Sequence, residues 1–317
     1  MFYDKDGAML AGARLAKFKP HPVLQILIYL AVMFVGQFAG GIVTGIAMAP
    51  IIVKEFLPLA MQGDMEGYMK AIMQFTTDPP DYIMAIQLFA TAAVTVAAIV
   101  YCRFLEKRSL ESIGITGRRA VPDYLLGWLL GGAMFSLAVL ICAGTGALRL
   151  SYSGASWYMI LFFFLGYMVQ GMSEEVLVRG YLMTSLTARA PVWLAVTLSS
   201  LVFASMHLLN SGITPLAFLN LFLFGVFASL FTLRYQRLWG ICAVHTAWNF
   251  MQGNFFGISV SGTGTGPSVF SAELTGSGII NGGAFGLEGG VAVTAVLVLA
   301  CLAVVLLPNR EAKRDVQ

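Results

Sequence analysis

The chain has 317 residues, of which 58% are hydrophobic and 11% charged, with a formal net charge of +3 and a mean hydropathy of +0.80. Globular chains are roughly half apolar, so this composition excludes a soluble domain and indicates a polytopic membrane protein. Long continuous apolar runs favour a helical bundle over a β-barrel, whose strands alternate in hydropathy. The small net charge predicts no nucleic-acid partner.

Apolar segments along the chain predict about eight membrane spans. They lie near residues 23–48, 82–102, 123–146, 157–186, 192–209, 214–233, 238–256 and 289–307. The predicted fold class is therefore all-α, a polytopic transmembrane helical bundle in the cell membrane, with the lipid bilayer as a partner. The first apolar run begins only near Val23 and is too long for the apolar region of a cleavable signal peptide.

Basic residues predict the orientation of this bundle. With the N-terminus inside, the Lys and Arg residues fall on inner segments, apart from Arg179 within a span and Lys54, Lys70 and Arg149 on outer segments. This distribution follows the positive-inside rule, so we expect an even number of spans with N-in and C-in termini.

The same pattern divides the chain into five regions. We predict a cytoplasmic N-terminal tail (1–22), two N-terminal spans with an amphipathic outer segment and a basic inner loop (23–119), a core (120–256), a glycine-rich extracytoplasmic loop (257–288), and the last span with a basic C-terminal tail (289–317). Small residues spaced four apart in 36–45 and 127–132 predict close helix packing, within the chain or between protomers.

Few ionisable side chains lie within the predicted spans, and each costs about 2.5–3.5 kcal/mol there, so a functional role is the first hypothesis. The candidates are Glu174, Glu175, Arg179, His207 and His245, with the neutral Asn249. Glu175 and Arg179 share a helix face and can neutralise each other. Glu174 is rotated by about 100° from Glu175, which leaves it without a partner in its own helix. His245 and Asn249 also share a face.

Chain geometry compares the depths of these residues. Glu174 and His207 each lie about 16 residues, or roughly 24 Å, from the turn near Ala190–Pro191, so an antiparallel hairpin sets them at one level. His245 follows its own turn near Arg237 by only about eight residues, or roughly 12 Å. To reach the others, that turn must dip into the membrane or the helix must shift.

The residues alone leave structural roles open. Glu175 and Arg179 are equally consistent with a packing ion pair, and a single intramembrane histidine with a helix contact. A serine nucleophile at Ser173 is disfavoured because no G-x-S-x-G elbow surrounds it, and no H-E-x-x-H zinc motif is present.

Three motifs on successive predicted helices resemble those of the CPBP family of intramembrane proteases. They are E-E-x-x-x-R at 174–179, F-x-x-x-H at 203–207 and H-x-x-x-N at 245–249. That family includes CAAX prenyl endopeptidases, abortive-infection proteins and bacteriocin-processing or immunity proteins. The resemblance covers about residues 120–256, which makes this core a CPBP-like catalytic core.

The resemblance implies an endopeptidase that cleaves a peptide bond of a membrane-associated protein or peptide. It implies that Glu174 activates water with His207 as its partner, that His245 and Asn249 donate to the oxyanion, and that Glu175 and Arg179 support the helix. Zinc is the alternative, with Glu174, His207 and His245 as three ligands. We prefer a site without metal or other cofactor, since no carboxylate lies beside either histidine in the sequence to orient it.

Two other functions use the same residues. A proton-coupled membrane transporter would employ the intramembrane Glu and His side chains as a relay, but the sequence shows no internal repeat of the kind common in such carriers. A catalytically inactive immunity or scaffold protein is the other, and the complete motif set disfavours it. The sequence does not decide the oligomeric state.

Overall fold

The computed structural model describes residues 2–77, 79–154 and 156–308. Eleven helices occupy these residues: α1 Ala8–Arg14, α2 Pro22–Met61, α3 Met65–Thr77, α4 Asp81–Phe104, α5 Ala120–Gly144, α6 Trp157–Leu186, α7 Val192–Ser205, α8 Pro215–Tyr235, α9 Trp239–Phe250, α10 Gly278–Asn281 and α11 Val291–Leu306. The predicted helical membrane bundle is thereby confirmed as the fold class.

One small sheet interrupts the helical architecture. Strands β1 (Leu148–Tyr152) and β2 (Phe270–Leu274) pair antiparallel, with Leu148 opposite Leu274 and Tyr152 opposite Phe270. The sequence analysis did not predict this sheet, because β1 is only a short stretch between two apolar segments. The pairing ties the glycine-rich region to the connection between α5 and α6.

Five helices within the described residues are long and apolar enough to cross a bilayer, namely α2, α4, α5, α6 and α8. Three predicted spans correspond to the shorter helices α7, α9 and α11. The count of about eight spans and the N-in, C-in orientation therefore stay predictions. The basic C-terminal tail, with Arg310, Lys313 and Arg314, lies outside the described residues.

Helix α2 is longer than the span predicted from its sequence. Its 40 residues extend about 60 Å, twice the roughly 30 Å of a hydrocarbon core. The far end carries the exposed residues Lys54 and Glu55. There α3 folds back, with the Phe56 ring 5.9 Å from that of Phe75. The result is a helical hairpin that extends beyond the apolar layer.

Glycines let the central helices approach closely. A Cβ on Gly127 or Gly131 of α5 would collide with the carbonyl oxygens of Gly240 and Val244 on α9. A Cβ on Gly36 or Gly40 of α2 would likewise collide with backbone atoms of α4. The small-residue spacings at these positions therefore serve packing within the chain.

The glycine-rich region folds back onto the bundle. Between β2 and α11 it forms α10 and two short 3₁₀ turns, Gly283–Phe285 and Leu287–Gly289. Asn281 holds it in place by donating to the carbonyl oxygens of Ala147 (2.9 Å) and Thr275 (2.8 Å). This region, predicted as a loop, thus forms part of the wall around the candidate site.

Candidate active site

The two glutamates lie where α6 changes its winding. Glu175 is the last residue of the α-helical part, and Val176–Met183 continues as a π-helical segment. Such segments are rare, and they occur often at functional sites. Gly171, one turn earlier, lets α9 approach so closely that a Cβ there would stand 3.0 Å from the Thr246 nitrogen. This crossing brings α9 to the glutamates.

Glu175 and Arg179 form the predicted ion pair, and both side chains are fully buried. The Arg179 Nη1 donates to Glu175 Oε1 at 2.9 Å. The guanidinium also lies over the Phe203 ring, 4.6 Å from its centroid, and donates to the Gly225 carbonyl. Arg179 therefore links three helices, α6, α7 and α8, and neutralises a charge that would otherwise be costly to bury.

Glu175 also contacts His245, a partner that the sequence analysis missed. His245 Nδ1 lies 2.8 Å from Glu175 Oε1. A carboxylate beside a histidine ring fixes the orientation of that ring. The two residues are 70 positions apart in the chain, so local sequence carries no sign of their contact.

His245 faces the second glutamate with its other ring nitrogen. His245 Nε2 is 3.7 Å from Glu174 Oε2. The turn before α9 explains how His245 reaches this depth: Leu238 lies against Gly180 of α6 and donates to the Gly114 carbonyl at 3.0 Å. Because Gly180 follows Glu174 by only six residues, the turn lies level with the part of α6 just after Glu174, and this position brings His245 to the glutamates.

His207 lies in the turn that follows α7. Its Nδ1 is 3.0 Å from the Phe203 carbonyl oxygen. A carbonyl can only accept, so Nδ1 carries a proton, and in the tautomer protonated only there Nε2 is an acceptor. The Phe203 side chain itself packs against both histidines, with its ring centroid 5.1 Å from that of His207 and 6.2 Å from that of His245.

Gln170 connects Glu174 with Asn249. Its amide nitrogen donates to Glu174 Oε1, and its oxygen accepts from Asn249 Nδ2 at 3.0 Å. Our expectation that Glu174 has no partner in its own helix was therefore wrong, because Gln170 is four residues away on the same face. Gln170 is uncharged and belongs to none of the three motifs, so the pattern of charges along α6 does not reveal it.

The four predicted catalytic residues line one cavity of about 210 Å³. Its polar wall contains Glu174, His207, His245 and Asn249, and its apolar wall includes Tyr167, Leu221, Phe224 and Trp248. The Glu174 side chain is 21% exposed, whereas that of Glu175 is 0% exposed, so only the former is accessible to water. Glu174 Oε2 has no hydrogen-bond partner among the described residues. The partly exposed Glu174 side chain therefore lines a space large enough for several water molecules.

Glu288 from the glycine-rich region also lines this cavity. Its Oε1 accepts from Trp248 Nε1 at 2.9 Å, and its Oε2 accepts from the nitrogen and hydroxyl of Ser261 at 2.7 and 2.8 Å. Sequence reasoning placed this residue in a loop outside the core. A single Glu among glycines carries no periodic signal that would predict its burial.

The zinc alternative finds no ready ligand set in the part of the chain that the structure describes. No group of three or more His, Cys, Asp or Glu side chains there is arranged to hold a metal ion. Glu174, His207 and His245 share the cavity, and Glu175 is a carboxylate beside His245 that the sequence did not reveal. This contact leaves Nε2 of His245 available and is itself compatible with a metal-binding histidine. Because no group of three ligands is arranged around a common point among the described residues, we derive no step through a metal. The four cysteines are free thiols.

The described bundle thus places a carboxylate, two imidazoles and an amide around one cavity. Residues 155–251 match a family model described as Type II CAAX prenyl endopeptidase Rce1-like. The matched range is less than half of the chain, and it contains all three motifs. The match confirms the resemblance to CPBP-family intramembrane proteases and indicates that the protein is a protease. Searches of curated proteins and of solved structures found no match.

Proposed function

We propose that the protein is an intramembrane endopeptidase that uses water activated by Glu174 to cleave a membrane-associated protein or peptide. The observation that carries this proposal is that the partly exposed Glu174 side chain lines a cavity shared with His207, His245 and Asn249. Peptide hydrolysis requires a base beside a water molecule and donors beside the carbonyl oxygen. All these groups are available around the one cavity.

Two acceptors hold the attacking water. The Glu174 carboxylate and the Nε2 lone pair of His207 each accept one of its hydrogens, and Glu174 takes a proton as the water attacks. A positioned base of this kind contributes about 10²–10⁴-fold to a rate. Gln170 keeps Glu174 in place by donating to its other oxygen.

Two donors stabilise the oxyanion that forms. With both ring nitrogens protonated, His245 donates from Nδ1 to Glu175 and presents the Nε2 hydrogen to the substrate. Its positive charge, together with that of Arg179, balances the carboxylates of Glu174 and Glu175. Asn249 uses one amide hydrogen for Gln170 and has a second for the oxyanion.

Glu175 and Arg179 act as positioning residues behind this site. Both are fully buried, and neither lines the cavity. Through His245 and Phe203 they hold α6, α7 and α9 at fixed relative positions. A lost pair would therefore affect both folding and the geometry of the oxyanion donors.

The cavity favours a substrate with apolar residues beside the cleaved bond. Its walls carry Tyr167, Phe203, Phe224 and Trp248, which offer aromatic surface to an apolar chain. A prenylated CAAX peptide, the substrate named in the description of the matching family, also has this apolar character. We propose the broader class, an apolar membrane-associated peptide.

The test uses the full chain in lipid nanodiscs with a panel of CAAX-type and apolar tail peptides. Cleavage in ¹⁸O-labelled water is expected to place the label in the new carboxylate, as mass spectrometry would detect. Glu174→Ala and His207→Ala should abolish cleavage while the protein still elutes as one folded species. The control is Glu273→Gln, which neutralises an exposed glutamate on β2.

Two results would contradict the proposal. Wild-type cleavage rates in both site variants would remove Glu174 and His207 from the mechanism. Proton uptake into proteoliposomes that is lost in Glu174→Gln, without cleavage of any peptide by the wild type, would instead favour the transporter.

A further inference from the structure

The candidate active-site cavity contains a second set of polar side chains besides the catalytic ones. Four of its lining residues belong to this set, namely Tyr167, Asn210, Ser261 and Glu288. They come from α6, from the turn after α7, and from the glycine-rich region. The proposed hydrolysis step uses the polar atoms of none of them. We call these four residues the distal group.

Helix geometry separates the distal group from the attacking carboxylate. Tyr167 and Glu174 lie seven positions apart on α6, so they share a helix face and are about 10 Å apart along the axis. The Tyr167 hydroxyl lies beside the glycine-rich region, because a Cβ on Gly253 would stand 2.9 Å from this hydroxyl and 3.0 Å from Val260. An extended peptide covers the same distance with about three residues.

Glu288 gives the distal group a negative charge that no cation balances. Both of its oxygens act as acceptors, from Trp248 at 2.9 Å and from the nitrogen and hydroxyl of Ser261 at 2.7 and 2.8 Å, and Gln252 Nε2 lies 3.4 Å away. All these donors are neutral. Across the described ranges, no Lys, Arg or His side chain forms an ion pair with Glu288.

Two neutral side chains of the distal group offer further oxygen atoms. Tyr167 is only 8% exposed, yet its hydroxyl has no hydrogen-bond partner among the described residues. Asn210 donates from its amide nitrogen to the Ser261 carbonyl at 2.8 Å, which leaves its side-chain oxygen as an acceptor for a ligand. Because buried polar groups are almost always hydrogen-bonded, the free Tyr167 hydroxyl indicates that a ligand or water bonds there.

This combination of groups selects the charge of the ligand. A carboxylate and two further oxygens attract a group that is positively charged and carries several hydrogens, such as an ammonium or a guanidinium. The aromatic rings of Phe224 and Trp248, which line the same cavity, also attract cations. An apolar group would leave the Tyr167 hydroxyl unbonded, and an anion would be repelled by Glu288.

We propose, on the basis of the endopeptidase function proposed above, that the distal group binds a positively charged group of the substrate about three residues from the cleaved bond. This group is a Lys or Arg side chain or the ammonium of a peptide N-terminus. Glu288 supplies the opposite charge, and the oxygens of Tyr167 and Asn210 accept the remaining hydrogens. Basic residues flank many membrane-spanning segments, so the substrate class is an apolar peptide with a basic residue near its end.

The test compares peptides of one apolar sequence that carry lysine or norleucine, which lacks the ammonium, at each position in turn. Dissociation constants are measured with full-length Glu174→Ala in nanodiscs, and kcat/KM is measured with the wild type. At one position lysine should bind about tenfold more tightly than norleucine and raise kcat/KM correspondingly. N-acetylated peptides distinguish a lysine side chain from an N-terminal ammonium.

Two substitutions, each added to Glu174→Ala for the binding measurement, identify the residues responsible. Glu288→Gln should reduce the lysine preference to near one while the norleucine peptide still binds. Tyr167→Phe should reduce it about threefold without lowering the melting temperature, because the hydroxyl has no bond within the protein to lose. The matched controls are Glu273→Gln on β2 and Tyr158→Phe, at a 74% exposed position of α6, and both should keep the full preference.

The outcomes separate this proposal from the endopeptidase function on which it rests. Equal binding of lysine and norleucine peptides at every position, or a full lysine preference in Glu288→Gln, would overturn the distal site even if the wild type cleaves peptides. If Glu288→Gln does not fold, a full preference in Tyr167→Phe has the same meaning. A lysine preference in binding without any cleavage would support the distal site and contradict the endopeptidase function.

Discussion

Helix α6 takes part in two buried charged clusters, and they differ in how completely their atoms are bonded. The cavity cluster comprises Glu174, Glu175, Arg179 and His245. The structural cluster comprises Glu106 and Arg108 with Gln25, Thr184 and Ser185, the last two on α6. Glu106 and Arg108 are 1% and 2% exposed, so burial does not distinguish the clusters.

Every charged group of the structural cluster has partners. Glu106 accepts from Gln25, Arg108 and Ser185 at 2.8–3.1 Å. Arg108 donates further to Thr184 and to the hydroxyl and carbonyl oxygens of Ser112. In the cavity cluster, one oxygen each of Glu174 and Glu175 and the Nε of Arg179 lack a partner among the described residues.

This comparison shows that a buried charge does not by itself indicate catalysis. Polar groups that are buried in proteins are almost always hydrogen-bonded, so an unbonded one calls for an explanation. Glu174 has an unbonded oxygen and a side chain that lines a cavity, whereas both carboxylate oxygens of Glu106 have hydrogen-bond partners. Unused hydrogen-bonding capacity beside a cavity is therefore the feature that separates a candidate site from a structural ion pair.

The largest expected effect comes from making the same substitution in each cluster. Glu174→Gln should lower kcat about 10²–10⁴-fold, because the amide cannot accept a proton from water. Its melting temperature should not fall, since Glu174 Oε2 makes no hydrogen bond that would be lost. A peptide-cleavage assay and a thermal unfolding measurement on the same preparation provide the kcat and the melting temperature.

Glu106→Gln should show the opposite pattern. It leaves the buried Arg108 uncompensated, which costs about 3–5 kcal/mol of unfolding free energy. The kcat per folded molecule should stay near that of the wild type. If Glu106→Gln lowered kcat as strongly as Glu174→Gln without loss of stability, the distinction between the two clusters would fail.

Asn249→Ala tests the donors within the cavity cluster. The loss of one oxyanion donor should lower kcat about 10²–10³-fold, with a small change in KM, because the hydrogen bond forms mainly in the transition state. Asn281→Ala removes a buried asparagine that bonds only backbone groups, those of Ala147, Thr275 and Gly283. That control should lower stability and leave kcat unchanged, and equal losses of kcat would argue against a catalytic Asn249.

Glu288→Gln is expected to have a smaller effect. The new amide NH₂ would then point at another hydrogen-bond donor, either Trp248 Nε1 or the nitrogen and hydroxyl of Ser261. This mismatch costs about 1–3 kcal/mol of unfolding free energy. The fluorescence of Trp248 should shift as its hydrogen bond weakens. An unchanged melting temperature and spectrum would show that Glu288 does not hold the cavity wall.

A strong zinc chelator should have no effect on cleavage or melting temperature. The basis is that no ligand group of three forms among the described side chains. Metal analysis of the purified protein is the matching measurement. Stoichiometric zinc, lost together with activity on chelation, would restore the alternative in which Glu174, His207 and His245 are ligands.

Much of the bundle could be predicted because apolar length and helical spacing are local properties. The pairing of Glu175 with Arg179 followed from their separation by four residues, and the common depth of Glu174 and His207 from equal distances to one turn. Both predictions use only the number of residues between the positions concerned. The position of His245 was harder, since it depends on Leu238 lying against Gly180 of another helix.

The remaining site residues depend on contacts between distant parts of the chain. Glu288 lies 40 residues from Trp248, in a region whose glycines suggest an open loop. Glu106 and Arg108 look like part of a solvated basic loop, and only the fold shows that Gln25 and Ser185 surround them. Sequence patterns identify which groups are unusual, but they do not show which of them are fully bonded.

The length of α2 has a practical consequence for determining orientation. Its far end, beyond the apolar layer, leads to Gly63, which has a φ of 72° and open space where a Cβ would point. Exposed turns of this kind tolerate insertions. An epitope tag inserted there would be accessible to an impermeant antibody on intact cells if the N-terminus is cytoplasmic, so one labelling experiment would report the direction in which the whole bundle is inserted.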